Sequence, residues 1–206
     1  MPQSSTLQDA IRLLFIFFHG SELLKEHPEG FTRKFESRVK AFAMDFWVRY
    51  PDFLAYELLN RYESLNEKRY LDLAQKIFDD NEPDLRTIPM IRYRFGAYED
   101  LTETIALLKT KGLVHEDGIK TSGRIQNYEY YFTPLGEQVI NEIRNEFHVL
   151  KWYDERASLV QEICGNMGGS DLKREQYKHM AYASTALGGI IPSIKIEVVN
   201  RLKNFS

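Results

Sequence analysis

The chain has 206 residues, 43% of them hydrophobic and 28% charged, with 13 Phe, 12 Tyr and 2 Trp. Burial of so much apolar and aromatic surface can offset chain entropy, which excludes intrinsic disorder and predicts one large domain or two small ones. The formal net charge of −3 excludes a chain-wide attraction to nucleic acid or to an anionic membrane, so any nucleic-acid contact has to be local.

Leu7, Ile11, Leu14 and Phe18 recur at three- and four-residue steps, and Ser5 with Gln8 has capping-box spacing, which together predict an amphipathic first helix. The apolar run from Leu13 to Phe18 is too short to cross a bilayer, and Met1 to Asp9 holds no Lys or Arg, so no targeting or membrane segment is expected. After the break at His27-Pro28-Glu29-Gly30, Phe35, Val39, Phe42 and Phe46 mark a second stripe that Pro51 should end or kink. Leu54, Leu58, Tyr62 and Leu65 predict a third helix, and Tyr70, Leu73 and Ile77 a fourth. Residues 1–82 therefore read as a helical N-terminal layer.

The proline-containing passage Asn81 to Pro89 leads into a different pattern. Met90-Ile91-Arg92-Tyr93-Arg94-Phe95 alternates cations with apolar and aromatic residues, as some nucleic-acid surfaces do. The simpler reading is a strand or turn with Arg92 and Arg94 outward and the aromatic side chains in the core. A helix from Glu99 to Lys111 follows, then a turn at Gly112, a strand near Leu113 to Glu116, a polar loop from His115 to Asn127, a strand from Tyr128 to Thr133 and a helix starting at Pro134. Leu101, Ile105 and Leu108 share one helix face, Gly112 suits a left-handed C-cap and Pro134 fits a first helical turn. Leu101, Ile105, Leu108, Leu113 and Phe132 should share one core.

Helical periodicity returns in residues 148–206 with Leu150, Tyr153, Ala157, Val160 and Cys164, then Leu172, Tyr177, Met180 and Leu187, and last Ile194 to Leu202. Cys164 is the one cysteine, so no intramolecular disulfide can form, and a reducing, cytoplasmic setting is expected. Its place at the end of a helical stripe predicts a small buried apolar residue rather than a nucleophile. Gly165 to Ser170 lacks the lysine and the preceding strand of a phosphate loop and reads as an interhelical connection. The five histidines are scattered, and the carboxylate pairs Asp79-Asp80 and Asp154-Glu155 read as solvated charges. No catalytic residue, cofactor site or metal site is expected.

The most specific stretch is Leu107-Leu108-Lys109-Thr110-Lys111-Gly112-Leu113-Val114, followed after the loop by Tyr130-Tyr131-Phe132-Thr133-Pro134-Leu135-Gly136. Residues 94–147 resemble the winged-helix superfamily, particularly PadR-like and MarR-like regulators. The resemblance implies a mainly α fold with a small β-wing: a helical N-terminal layer, a central winged helix-turn-helix over 83–147, and C-terminal helices over 148–206. It also implies a DNA-binding transcriptional regulator that dimerises through appended helices and grips double-stranded DNA with its recognition helix and wing. In this chain the residues that would do so are Arg92, Arg94, Thr102, Lys109, Lys120 and Arg124.

The local charge points elsewhere. Residues 83–150 hold eight Lys and Arg against ten Asp and Glu, a net of −2, and the outward helix face begins with Glu99 and Glu103, which repel phosphate. The competing reading is a non-catalytic adaptor, or a subunit of a multiprotein complex, that uses the same module to dock a protein.

Overall fold

The fold is described by a computed structural model covering residues 6–79, 89–93, 96–98, 100–121 and 124–205. It is mainly helical with a small antiparallel sheet.

The first helix, α1 (Thr6–Gly20), is buried on nearly every side from Ala10 to Phe17. A helix so widely buried, with Arg12 its one charged group in that stretch, sits in the middle of a domain rather than on its surface. The stripe that the periodicity singles out is accordingly not the innermost one: Leu7 is 64% exposed, and Ile11 and Phe18 are half-buried. Two short strands follow, β1 (Glu22–Leu23) and β2 (Arg33–Glu36). Phe35 was expected on a helical stripe and instead lies in β2, fully buried. Its ring comes so close to Gly20 that a Cβ there would collide with it.

Ser37 caps α2 (Arg38–Arg49), its hydroxyl accepting from the Val39 amide at 3.2 Å. Pro51 ends that helix by opening the next, as the first residue of α3 (Pro51–Leu65). Asn66 closes α3 in the left-handed region, with φ 56°, before α4 (Lys68–Asp79). The hairpin of β3 (Ile91–Tyr93) and β4 (Gly96–Tyr98) then leads to α5 (Thr102–Thr110). Next come β5 (Val114–Thr121), β6 (Arg124–Phe132) and α6 (Pro134–Glu146). A 3-10 turn at His148–Leu150 precedes α7 (Lys151–Cys164), α8 (Gly169–Gln176), α9 (Met180–Ser184) and α10 (Lys195–Lys203).

The four-stranded sheet runs β1-β2-β6-β5, antiparallel throughout. β2 pairs Arg33 with Phe132 and Glu36 with Glu129, so it covers only the inner end of β6. The outer part of the β5–β6 hairpin continues beyond it as a two-stranded ribbon. The polar segment expected as a loop from His115 to Asn127 is thus mostly paired strand, with a register shift at Ile119/Lys120. A ribbon wet on its exposed faces needs no apolar alternation, which is why its composition reads as loop.

One core joins sequence segments 1–82, 83–147 and 148–206: Phe15, Trp47, Phe132, Tyr130 and Tyr182 are all fully buried within it. The segments are also stitched by hydrogen bonds. Asp52 accepts from the Ser193 hydroxyl at 2.6 Å and from the Ile194 amide at 2.7 Å, and Arg92 exchanges backbone bonds with Gly188 and Gly189. Inside, Arg12 of α1 donates to Asp9 and to Asp45 of α2, each at 2.6 Å. A buried cation with these partners fixes the register of α1 against α2, because any slip would strand a charge in the interior. Among the described residues no helix is long and apolar enough to cross a membrane.

Candidate functional site

The region around α5 gathers the features that the sequence marks out. Leu101, Ile105 and Leu108 turn inward and are 2–3% exposed, and Phe132 and half-buried Leu113 join them in the same core. The helix ends as its glycine predicts. Gly112 takes φ 68°, its amide donates to the Lys109 carbonyl at 2.9 Å, and the Leu113 amide reaches back to Leu108 at 3.0 Å. That pair of bonds is a Schellman closure, which needs a residue at ease in the left-handed region. Thr133 caps α6 by accepting from the Gly136 amide at 3.0 Å, and its hydroxyl donates to the Gly112 carbonyl at 2.7 Å. The hydroxyl therefore ties the end of α5 to the start of α6.

On the outward face, Thr102, Glu103, Ala106 and Lys109 are exposed. Lys109 is engaged: its ammonium lies 2.6 Å from one oxygen of Glu116 on β5. Arg38 donates to the other oxygen at 2.9 Å and to the Tyr130 hydroxyl at 2.8 Å, with its guanidinium 4.2 Å over the Tyr128 ring. Burial works to raise the Glu116 carboxyl, but bonds from Lys109, Arg38 and Tyr130 outweigh it and hold the group below the usual carboxylate range. Burial pushes the Tyr130 phenol up, and it stays protonated. At the head of α5 the Thr102 amide donates to Asp100 at 3.0 Å, and bonds from Thr102 lower that carboxyl.

Of the six sequence-predicted DNA contacts, the side chains of Thr102, Lys109 and Arg92 are described. Thr102 and Lys109 share the exposed face of α5, with Lys109 already paired. Arg92 turns to the C-terminal helices, where it lies 5.1 Å over the Tyr177 ring and donates to the Thr185 carbonyl. It is half-buried, whereas Tyr93, expected inside, is 47% exposed, so the expected orientation of this strand is corrected. Arg94 lies outside the described residues. Lys120 and Arg124 occupy the outer end of the hairpin, in the pairs Lys120↔Ile125 and Thr121↔Arg124, and their side chains lie outside the described atoms.

A second feature escaped the sequence reading. Beside α5, on the flank away from Glu116, a groove of about 380 Å³ opens between α1, α5 and α6. Leu7, Ile11 and Leu14 line one side, Leu107 another, and Val139 and Ile143 the third, with Phe147 at the end. Among the described residues no polar atom lines it, and Lys111 contributes only its hydrocarbon stem. Phe147 is 51% exposed, and Val149 beyond it 84%. The signal that could have found the groove is the α1 stripe itself, since its N-terminal half faces this space rather than the core.

Asp154, expected as a solvated charge, is instead engaged: Arg144 donates to its two oxygens at 2.7 and 2.8 Å, and the His19 ring nitrogen lies 2.6 Å away. Cys164 is fully buried, which pushes its thiol up to about 12, and a thiol so placed yields little thiolate at neutral pH. Residues 165–168 join α7 to α8, and Gly169 and Ser170 open α8. Comparison with protein-family models, with curated proteins and with solved structures finds no match to this chain.

Proposed function

We propose that the protein is a non-catalytic docking subunit, which uses the module around α5 to hold an apolar segment of another protein. The observation that carries this reading is the groove between α1, α5 and α6. An open channel lined only by hydrocarbon leaves apolar surface in water, which association with an apolar partner removes. The element order α5, β5–β6 hairpin, α6 supports reading the module as a winged helix. On this reading the helix that contacts DNA in such modules has lost that task. Its one outward lysine serves Glu116, and Asp100 and Glu103 crowd its N-terminal turn, where phosphate would have to approach.

A second reading, a dimeric transcriptional regulator, is favoured by one observation. The ribbon that extends past β2 holds Lys120 and Arg124 at its outer end, where a wing touches a phosphate backbone. A duplex titration at low and rising salt separates the two. The docking reading expects no saturable binding at micromolar protein. Binding that weakens steeply with salt, with a slope reduced in Lys120→Ala/Arg124→Ala, would overturn it in favour of DNA.

A further inference from the structure

The groove's rim carries a sign of charge that its floor does not. Glu103 stands one helical turn ahead of Leu107 on α5, and on α6 Glu142 and Glu146 stand beside Val139 and Ile143, all three carboxylates exposed. Several carboxylates elsewhere are matched by cations: Glu137 by Arg33, Glu129 by Lys34, Glu116 by Lys109 and Glu162 by Arg69. Among the described residues no ion pair engages Glu103, Glu142 or Glu146, and Glu142 takes only an amide bond from Gln138. Among the described residues, the cations beside the same walls are Lys111, which lines the groove, and Lys109, Arg144 and Lys151, each already paired with a carboxylate. The net rim charge is therefore negative.

From this rim and floor we infer that the groove receives an amphipathic helix of a partner protein, one whose apolar residues recur every three to four positions and whose flanks carry Lys and Arg. The inference rests on the docking reading above and names the partner's chemistry. A channel with no donor or acceptor cannot orient a polar ligand, so its occupant presents carbon. Three helices that already form its walls accept a fourth by ridges-into-grooves packing. Helix-in-groove recognition of this kind anchors on residues spaced i, i+3/i+4 and i+7. Three carboxylates around such a channel steer and register a basic partner and repel an acidic one. The same carboxylates repel an anionic membrane surface and a nucleic-acid backbone.

The test uses the full chain and two fluorescent synthetic helices with identical Leu spacing, one flanked by Lys and Arg and its twin flanked by Glu. Anisotropy should show the basic helix binding at least tenfold more tightly than the acidic twin, with affinity falling as salt rises. Phe147→Glu, at a half-exposed position, should weaken the basic helix tenfold or more. Glu142→Lys/Glu146→Lys should narrow or reverse the preference while leaving the circular dichroism spectrum unchanged. Equal binding of the twins, binding indifferent to Phe147→Glu, or no binding of either helix would overturn the inference. So would a parent chain that sediments as a dimer and becomes monomeric in Phe147→Glu, since a second copy would then be the occupant. The docking reading itself falls on the separate duplex titration, so the two failures are told apart.

Discussion

The two flanks of α5 are built on opposite chemistry. Towards the sheet, Lys109, Glu116, Arg38 and Tyr130 form a closed chain of charged and hydrogen-bonded groups, each satisfied by the next. Towards α1 and α6, Leu107 and its neighbours line an open apolar channel. A polar surface that has satisfied itself offers a ligand little, because every new bond must replace an existing one. An apolar surface in water gains from any partner that covers it. The flank of α5 nearest the hairpin is thus engaged in its own bonds, and the open flank lies on the other side.

Substitutions can break this contrast in descending order of effect. Leu108 is 2% exposed and belongs to both the core and the channel floor. Leu108→Ala should cost about 2–5 kcal/mol, read as a lowered urea midpoint; a change below half a kcal/mol would mean that the site collapses freely or is not packed. Glu116→Gln leaves Lys109 and Arg38 without their shared carboxylate and should cost about 1–3 kcal/mol at neutral pH. Because the Glu116 carboxyl is held below its ordinary value near 4.5, its contribution is complete above that pH and disappears as pH falls through the lower folded-state value. The parent should therefore lose more stability than Glu116→Gln on acidification below that point, and parallel pH profiles would show that the ion pairs contribute nothing. Gly112→Ala forces an alanine to φ 68° and should cost about 1 kcal/mol, with no clash to add because nothing lies near the new methyl. Phe147→Ala should leave the unfolding midpoint within about 0.5 kcal/mol of the parent, since the ring is half exposed; a larger loss would make Phe147 part of the core rather than of a recognition surface.

Local chemistry is what the sequence makes legible. The Leu101, Ile105 and Leu108 face, the Gly112 cap and the Thr133-Pro134 start of α6 each depend on residues within a few positions of one another, and each is read correctly. Features that depend on distant partners are not. β2 is four residues long with one buried side chain, Phe35, and is a strand because residues 129–132 pair with it. The hairpin's outer half looks like a loop because a two-stranded ribbon in water needs no apolar pattern. Arg92 looks like a surface cation until Tyr177 and Thr185, far along the chain, claim it. The groove combines three helices from separate parts of the sequence, and the periodicity of α1 reveals an apolar stripe without revealing that half of it remains open.

Methyl NMR of the full chain, followed on Ile11, Leu107 and Ile143 in the channel and on Val114 and Ile119 in the hairpin, compares the two flanks in one measurement. The basic amphipathic helix should shift the channel methyls in a saturable way and leave the hairpin methyls in place, while a DNA duplex at low salt should move neither set. A duplex that shifted the hairpin, with channel methyls unmoved by the helix, would contradict the assignment of recognition to the apolar flank of α5.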